Sequence, residues 1–144
     1  MSCIFAICFQ ILNKKVMELI EYLEGTVFNS PAKTLVNAVN CFGTMGAGIA
    51  LEFKLRYPEM FDEYVKMCES KKMTVGIPRI YEYSNDRWIM NFATKNHWRY
   101  PSKIKWIEDG LKYFAENYKK RDPKYKHKMA ISHCWHFNVF FCCG

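Results

Sequence analysis

Thr34-Leu35-Val36-Asn37-Ala38-Val39-Asn40-Cys41-Phe42-Gly43-Thr44-Met45-Gly46-Ala47-Gly48-Ile49 passes from a strand through a glycine loop into a helix. Thr34 to Val39 are largely apolar without strict alternation, as in an interior strand covered on both faces. Three glycines then fall within six positions, at 43, 46 and 48, and Ile49, Leu51, Phe53 and Leu55 supply the apolar side of a helix. A strand, a glycine turn and a helix in this order aim unpaired backbone N–H groups and the positive end of a helix dipole at one spot. With no side chains at Gly43, Gly46 and Gly48, a phosphate can come close. A plain connector between strand and helix gives the same sequence, so the loop alone does not decide between them. No Gly-Lys-Ser/Thr follows, and the spacing differs from the dinucleotide fingerprint, which sets ATP and NAD aside.

Working outward, Leu19 to Leu23 predicts an earlier strand, with Gly25, Asn29, Ser30 and Pro31 marking the turn after it. Downstream, Pro58 ends the first helix and opens a second, in which Phe61, Tyr64, Val65 and Cys68 form an amphipathic stripe. Gly76 and Pro78 break the chain before two short strands, Arg79 to Tyr83 and Arg87 to Phe92, joined through Ser84-Asn85-Asp86. A polar loop leads through Pro101 into a helix with Ile104, Ile107, Leu111, Phe114 and Tyr118 on one side, and Met129-Ala130-Ile131 predicts a last strand. Strands alternating with helices argue for an α/β layered fold with a mainly parallel sheet.

With 144 residues, half of them hydrophobic and 24% charged, the chain fits one domain with a packed core and falls outside the disordered classes. Residues 1–16 look like an N-terminal extension, 17–131 the domain, and 132–144 a divergent tail. The apolar run Cys3 to Leu12 is too short to span a bilayer and has no basic residues before it, so no membrane partner is expected and a cytoplasmic setting is, or a nuclear one in a eukaryote. Seven scattered cysteines predict reduced thiols and no disulfide framework. His133, Cys134, His136, Cys142 and Cys143 are metal-ligand types without the paired spacing of a zinc ribbon, so no metal is expected. The net charge of +7 is uneven: residues 112–128 carry seven Lys or Arg against Glu116 and Asp122. Such a stretch suits a nucleic acid through counterion release, and a solvated lysine-rich helix end equally well.

Val36-Asn37-Ala38-Val39-Asn40, then Gly-Thr-Met-Gly-Ala-Gly-Ile-Ala and Phe53-Lys54, resembles the first ligand loop of macrodomains. Asn91-Phe92-Ala93-Thr94-Lys95-Asn96-His97-Trp98-Arg99 is similar to the same branch, that of DarG-type antitoxin macrodomains and the terminal ADP-ribose protein glycohydrolase. The resemblance covers Met17 to Ile131 and implies a three-layer α/β/α sandwich with a mixed, mainly parallel sheet, binding ADP-ribose at the carboxyl ends of the strands. It implies a glycohydrolase removing ADP-ribose from DNA bases or protein carboxylates without metal or redox cofactor. Backbone groups of Gly43, Thr44, Met45, Gly46, Ala47, Gly48 and Ile49 would receive the pyrophosphate, Asn40 would face the distal ribose, and Lys95 would be catalytic. A lysine amine can attack the anomeric carbon or its ring-opened aldehyde, or polarise the leaving group. His97 is expected to hydrogen-bond its loop and Trp98 to pack.

Two departures from the family pattern carry expectations of their own. Beyond Ile131, where the pattern has a proline and a second glycine-rich phosphate loop, this chain has Ser132-His133-Cys134-Trp135-His136-Phe137-Asn138-Val139-Phe140-Phe141-Cys142-Cys143. A truncated or frame-altered ending and a native divergence both read this way. Each charge-assisted hydrogen bond missing from the pyrophosphate would cost about 1.5 to 3 kcal/mol, which favours a binding module without turnover, or a remnant, as the alternative. Thr26 follows Gly25 where many macrodomains place an aspartate on the adenine amine, so adenine selection would be weaker or made by backbone groups.

Overall fold

The computed structural model describes residues 24–121 and 129–131, without the side chains of 118–121. The strand expected at Leu19 to Leu23, the extension 1–16, the tail 132–144 with its His and Cys residues, and much of the basic stretch 112–128 lie outside the described residues.

Four strands, β1 (Thr34–Asn40), β2 (Arg79–Ser84), β3 (Arg87–Lys95) and β4 (Met129–Ile131), form one sheet in the order β2-β3-β1-β4. β1 is parallel to both neighbours, β3 and β4, while β2 runs antiparallel to β3. Asn85 and Asp86 make the tight turn between β2 and β3, where Ser84 pairs with Arg87. The sheet is therefore mixed and mainly parallel, as the pattern predicts.

Period-2 alternation divides β1 and β3 between two cores. Leu35, Val39, Ile89 and Ala93 face one cluster, shared with Phe53, Met60 and Tyr64 of α1 (Gly48–Arg56) and α2 (Pro58–Glu69). Val36, Met90 and Phe92 face the other, packed against Leu111 and Phe114 of α3 (Ile104–Arg121). Both faces being covered explains why β1 reads as an apolar run without alternation. Fully burying a side chain such as Leu35, Ile89 or Phe53 stabilises by about 1.5 to 3 kcal/mol.

The α1–α2 junction follows from Pro58, which occupies the first turn of α2 while Tyr57 N donates to Phe53 O at 2.9 Å. A short 3-10 turn, Val27–Asn29, precedes β1 and packs Phe28 edge-on to Phe53, ring centroids 4.8 Å apart. Arg87 ties that segment to β3: Nη1 donates to Ala32 O at 2.7 Å, and both Nη atoms donate to Ser30 O. The backbone O of Thr26 accepts from Asn29 N at 3.0 Å, and its side chain makes no capping hydrogen bond. No helix among the described residues is long and apolar enough to cross a membrane.

Candidate functional site

Asn40, the last residue of β1, organises the turn that follows. Its Oδ1 accepts the N–H groups of Phe42 (2.9 Å), Gly43 (3.1 Å) and Thr44 (3.4 Å), and its Nδ2 donates to Thr44 O at 2.7 Å. The buried Tyr64 hydroxyl on α2 lies 2.7 Å from Asn40 O and 3.0 Å from Oδ1. One asparagine amide thus folds the chain back on itself, a short-range use that suits Asn at the end of a strand. The consequence for the predicted loop is specific: the amides of Gly43 and Thr44 point inward at Asn40.

Met45 anchors the middle of the loop. Its side chain is 1% exposed within the α1–α2 core, with Sδ 3.7 Å from Asn37 Nδ2. Gly46, Ala47 and Gly48, by contrast, are exposed. The first turn of α1 is not capped by a side chain, and its first hydrogen bond runs from Leu51 N to Ala47 O. The N–H groups of Gly48, Ile49 and Ala50 therefore precede the helical ladder and carry the positive end of its dipole. Gly43 and Gly48 have φ of +94° and +58°, values that L side chains rarely adopt, and a Cβ on Gly48 would meet nothing within 4 Å. The turn is open on its outer side and backbone-lined.

Lys95 ends β3 level with Asn40. The β1–β3 register runs Val39 with Ala93 and then Asn40 with Lys95, so Thr94 is bulged out of the ladder. Bulges re-aim side chains, and here the bulge brings Lys95 to the end of β1. The two loops are stitched beyond it, because Cys41 N donates to Lys95 O at 3.0 Å and Asn96 O at 3.2 Å. The structure thus brings Asn40, the glycine loop and Lys95 together. His97 hydrogen-bonds its own loop, its Nδ1 accepting from Arg99 N at 3.2 Å, as expected. Trp98 packs only within its own loop and not in the core: it is 49% exposed, with His97 stacked beside it and the Arg99 guanidinium 4.6 Å from its ring centroid. The expected packing is thus local, on a turn 97–100 closed by Tyr100 N on His97 O.

Two supports escaped the sequence reading. Asn37 and Asn91, paired in register and wholly buried, join through Asn37 Nδ2 to Asn91 Oδ1 at 3.0 Å, while Asn91 Nδ2 lies 3.2 Å from Met60 Sδ. Their signal was a polar residue in each of two apolar interior-strand runs, Leu-Val-Asn-Ala-Val and Ile-Met-Asn-Phe-Ala. The other is Tyr64, whose place in the helical stripe marked a core residue but not the work of its hydroxyl. Burial, helped by the neighbouring Cys68, holds that hydroxyl well above the usual tyrosine range, so it stays a donor to Asn40. Burial pushes the Cys68 thiol up to about 11 and raises that of Cys41. Both are free thiols, and among the described residues no three His, Cys, Asp or Glu side chains cluster to hold a metal ion.

Comparison with known proteins places the fold in a family. The family described as the Macro domain matches residues 36–142. A DNA ADP-ribosyl glycohydrolase of Thermus aquaticus is 40% identical over 99 residues, which span 65% of this chain and 27% of that protein. The chain thus spans little more than a quarter of that curated relative. Among solved structures, the macrodomain of Mycobacterium tuberculosis DarG aligns with a TM-score of 0.69 at 38% identity, over 76% of this chain and 72% of that one. Thermosipho africanus DarTG in complex with ADP-ribose aligns with a TM-score of 0.66 at 34% identity, over 74% of this chain and 31% of that one.

Proposed function

This chain belongs to the macrodomain family, and from that membership we propose that it binds ADP-ribose between the β1–α1 loop and the end of β3 and releases it from modified DNA. The observation that carries the reading is the pairing of a helix N-terminus without a side-chain cap, led by exposed Gly46, Ala47 and Gly48, with Lys95 at the end of the adjacent strand. The pyrophosphate rests on amides from Gly46 to Ile49, in a loop whose first residues, Phe42 to Thr44, are held by Asn40 and whose Met45 is buried in the core. Preorganised donors of this kind bind an anion without the cost of assembling them. Asn40 serves the pocket chiefly through the backbone it shapes, with its edge toward the distal ribose.

Lys95 acts on the bond between that ribose and the modified group. Either its neutral amine attacks the anomeric carbon, breaking the bond to the base, and water then hydrolyses the lysine adduct to release ADP-ribose, or its ammonium form gives a proton to the departing base while water takes the anomeric carbon. DNA is the favoured carrier because the 40–45% identical relatives are named for DNA, with protein carboxylates the other candidate. The setting we infer is a reducing one, cytoplasmic or nuclear, in keeping with free Cys41 and Cys68.

A second reading, a module that binds ADP-ribose without turnover, is favoured by one observation: residues 132–143 contain no glycine from which to build a second phosphate loop. The two separate in a paired assay on the purified protein. Lys95→Ala is expected to lower ADP-ribose release from a modified oligodeoxynucleotide by about 100-fold or more while leaving calorimetric ADP-ribose binding in place. Binding without release by the wild type selects the module. Absence of binding at millimolar ligand removes both readings.

A further inference from the structure

Two asparagines face each other across the centre of an apolar sheet. Asn37 of β1 and Asn91 of β3 are paired in register and 0% exposed, on the same face as Leu35, Val39, Ile89 and Ala93. One hydrogen bond joins the two amides, from Asn37 Nδ2 to Asn91 Oδ1 at 3.0 Å, while Asn37 Oδ1 has no partner among the described residues. Leucine has nearly the shape of asparagine. Two leucines would fill the same places with apolar surface and leave no buried oxygen unpaired, a replacement that is commonly neutral or stabilising. Stability therefore does not account for the pair.

What the amides touch accounts for it better. Asn91 Nδ2 lies 3.2 Å from Met60 Sδ in the first turn of α2, and Asn37 Nδ2 lies 3.7 Å from Met45 Sδ in the glycine loop. Both methionines are buried, at 0% and 1% exposure. A polar thread thus runs Met60, Asn91, Asn37, Met45, from a helix through two strands to the middle of the ligand loop. Methionine is unbranched and flexible, so packing alone specifies its conformation poorly, and a directional contact at the sulfur selects one rotamer. Met45 immediately precedes Gly46, the first of the exposed residues whose backbone leads into α1. The place of its side chain therefore governs the place of the amides that follow.

We propose that Asn37 and Asn91 are positioning residues, whose amides fix the Met45 rotamer through its sulfur and so place the backbone donors from Gly46 to Ile49 for the diphosphate. They serve ligand alignment and not the stability of the fold. The inference rests on the ADP-ribose reading above and deepens it by naming what sets the loop from the core side.

The test sets a double variant, Asn37→Leu with Asn91→Leu, which removes both amides together, beside Met45→Leu, which keeps the volume and removes the sulfur. The double variant is expected to unfold in urea at or above the wild-type midpoint and to bind ADP-ribose about tenfold more weakly by calorimetry. Met45→Leu should weaken binding about threefold in the wild type and not at all in the double variant, where the thread is already cut. In the release assay the loss falls on KM and leaves kcat unchanged. NMR of methyl-labelled methionine reads the same thread without ligand: the Met45 methyl, held in one rotamer in the wild type, becomes rotamer-averaged in the double variant. Wild-type affinity in Met45→Leu overturns the proposal, as does a loss that is additive in the triple variant. A double variant that fails to fold, or unfolds at clearly lower urea, assigns the pair to stability and overturns it as well. A loss confined to kcat assigns the pair to the β1–β3 register that sets Lys95 beside Asn40, and overturns it in turn. Failure of the wild type to take up ADP-ribose is a separate result that strikes the ligand reading, and the methyl spectrum then decides whether the amides hold the loop.

Discussion

Asn40 shows how one side chain can build a ligand loop without itself being the main ligand contact. Four groups converge on its Oδ1, three backbone amides and the Tyr64 hydroxyl, so α2 braces the turn through Tyr64. The sequence made Asn40 legible as the polar end of an apolar strand. It hid Tyr64, because a residue in a helical stripe advertises its face and not its hydroxyl. Tyr64→Phe keeps the ring in its fully buried place and deletes two hydrogen bonds. We expect a loss of about 1 to 2 kcal/mol in urea unfolding together with several-fold weaker ADP-ribose binding, because the loop amides lose their brace. A variant with wild-type midpoint and affinity would show that the hydroxyl is a bystander.

Among the elements, helices and strands with strong periodicity were legible: β1, α1, α2, the β2–β3 hairpin and α3 all form where the apolar pattern places them. Spatial order was not. That β3 lies between β1 and β2, and that a bulge at Thr94 sets Lys95 beside Asn40, depends on long-range pairing that no local pattern records. The same holds for the close approach of α3 to β3. Gly110, buried in α3, sits over the ring of Phe92, and a Cβ there would collide with Cζ and lie 3.0 and 3.1 Å from Cε1 and Cε2. Helix propensity alone favours Gly110→Ala by about 1 kcal/mol. Overpacking against a ring that is 6% exposed costs about 1 to 3 kcal/mol and should prevail. The expected net loss is up to about 2 kcal/mol, with partial recovery in a Gly110→Ala, Phe92→Leu double variant, since the two residues share one contact. Gly110→Ala melting above wild type would mean that α3 can slide away from the sheet.

At the scale of the whole molecule, acidity and stability are coupled in one direction. Among the described residues every resolved shift is upward: burial raises Cys41, Tyr57, Tyr64, Cys68 and Tyr81, each a group that is neutral when protonated. The folded chain therefore holds these protons more tightly than the unfolded chain does. Linkage then fixes the sign: their contribution is intact below the unfolded thiol value of 9.0 and is lost as pH climbs toward about 11 for Cys68. Net charge works against this at first, because the formal +7 falls toward zero as pH approaches the isoelectric value near 9.0, which relieves self-repulsion. Loss of stability should consequently begin above pH 9 and not at neutrality. Urea midpoints at pH 7.5, 9 and 10.5 are expected to be level over the first interval and to drop over the second. Cys41→Ala with Cys68→Ala should shrink the drop without abolishing it, since Tyr64 still resists ionisation behind the Asn40 knot. A midpoint that stays flat to pH 10.5 in wild type would mean that water reaches the space between α2 and the loop, and with it that the knot is not the rigid support on which the ligand site depends.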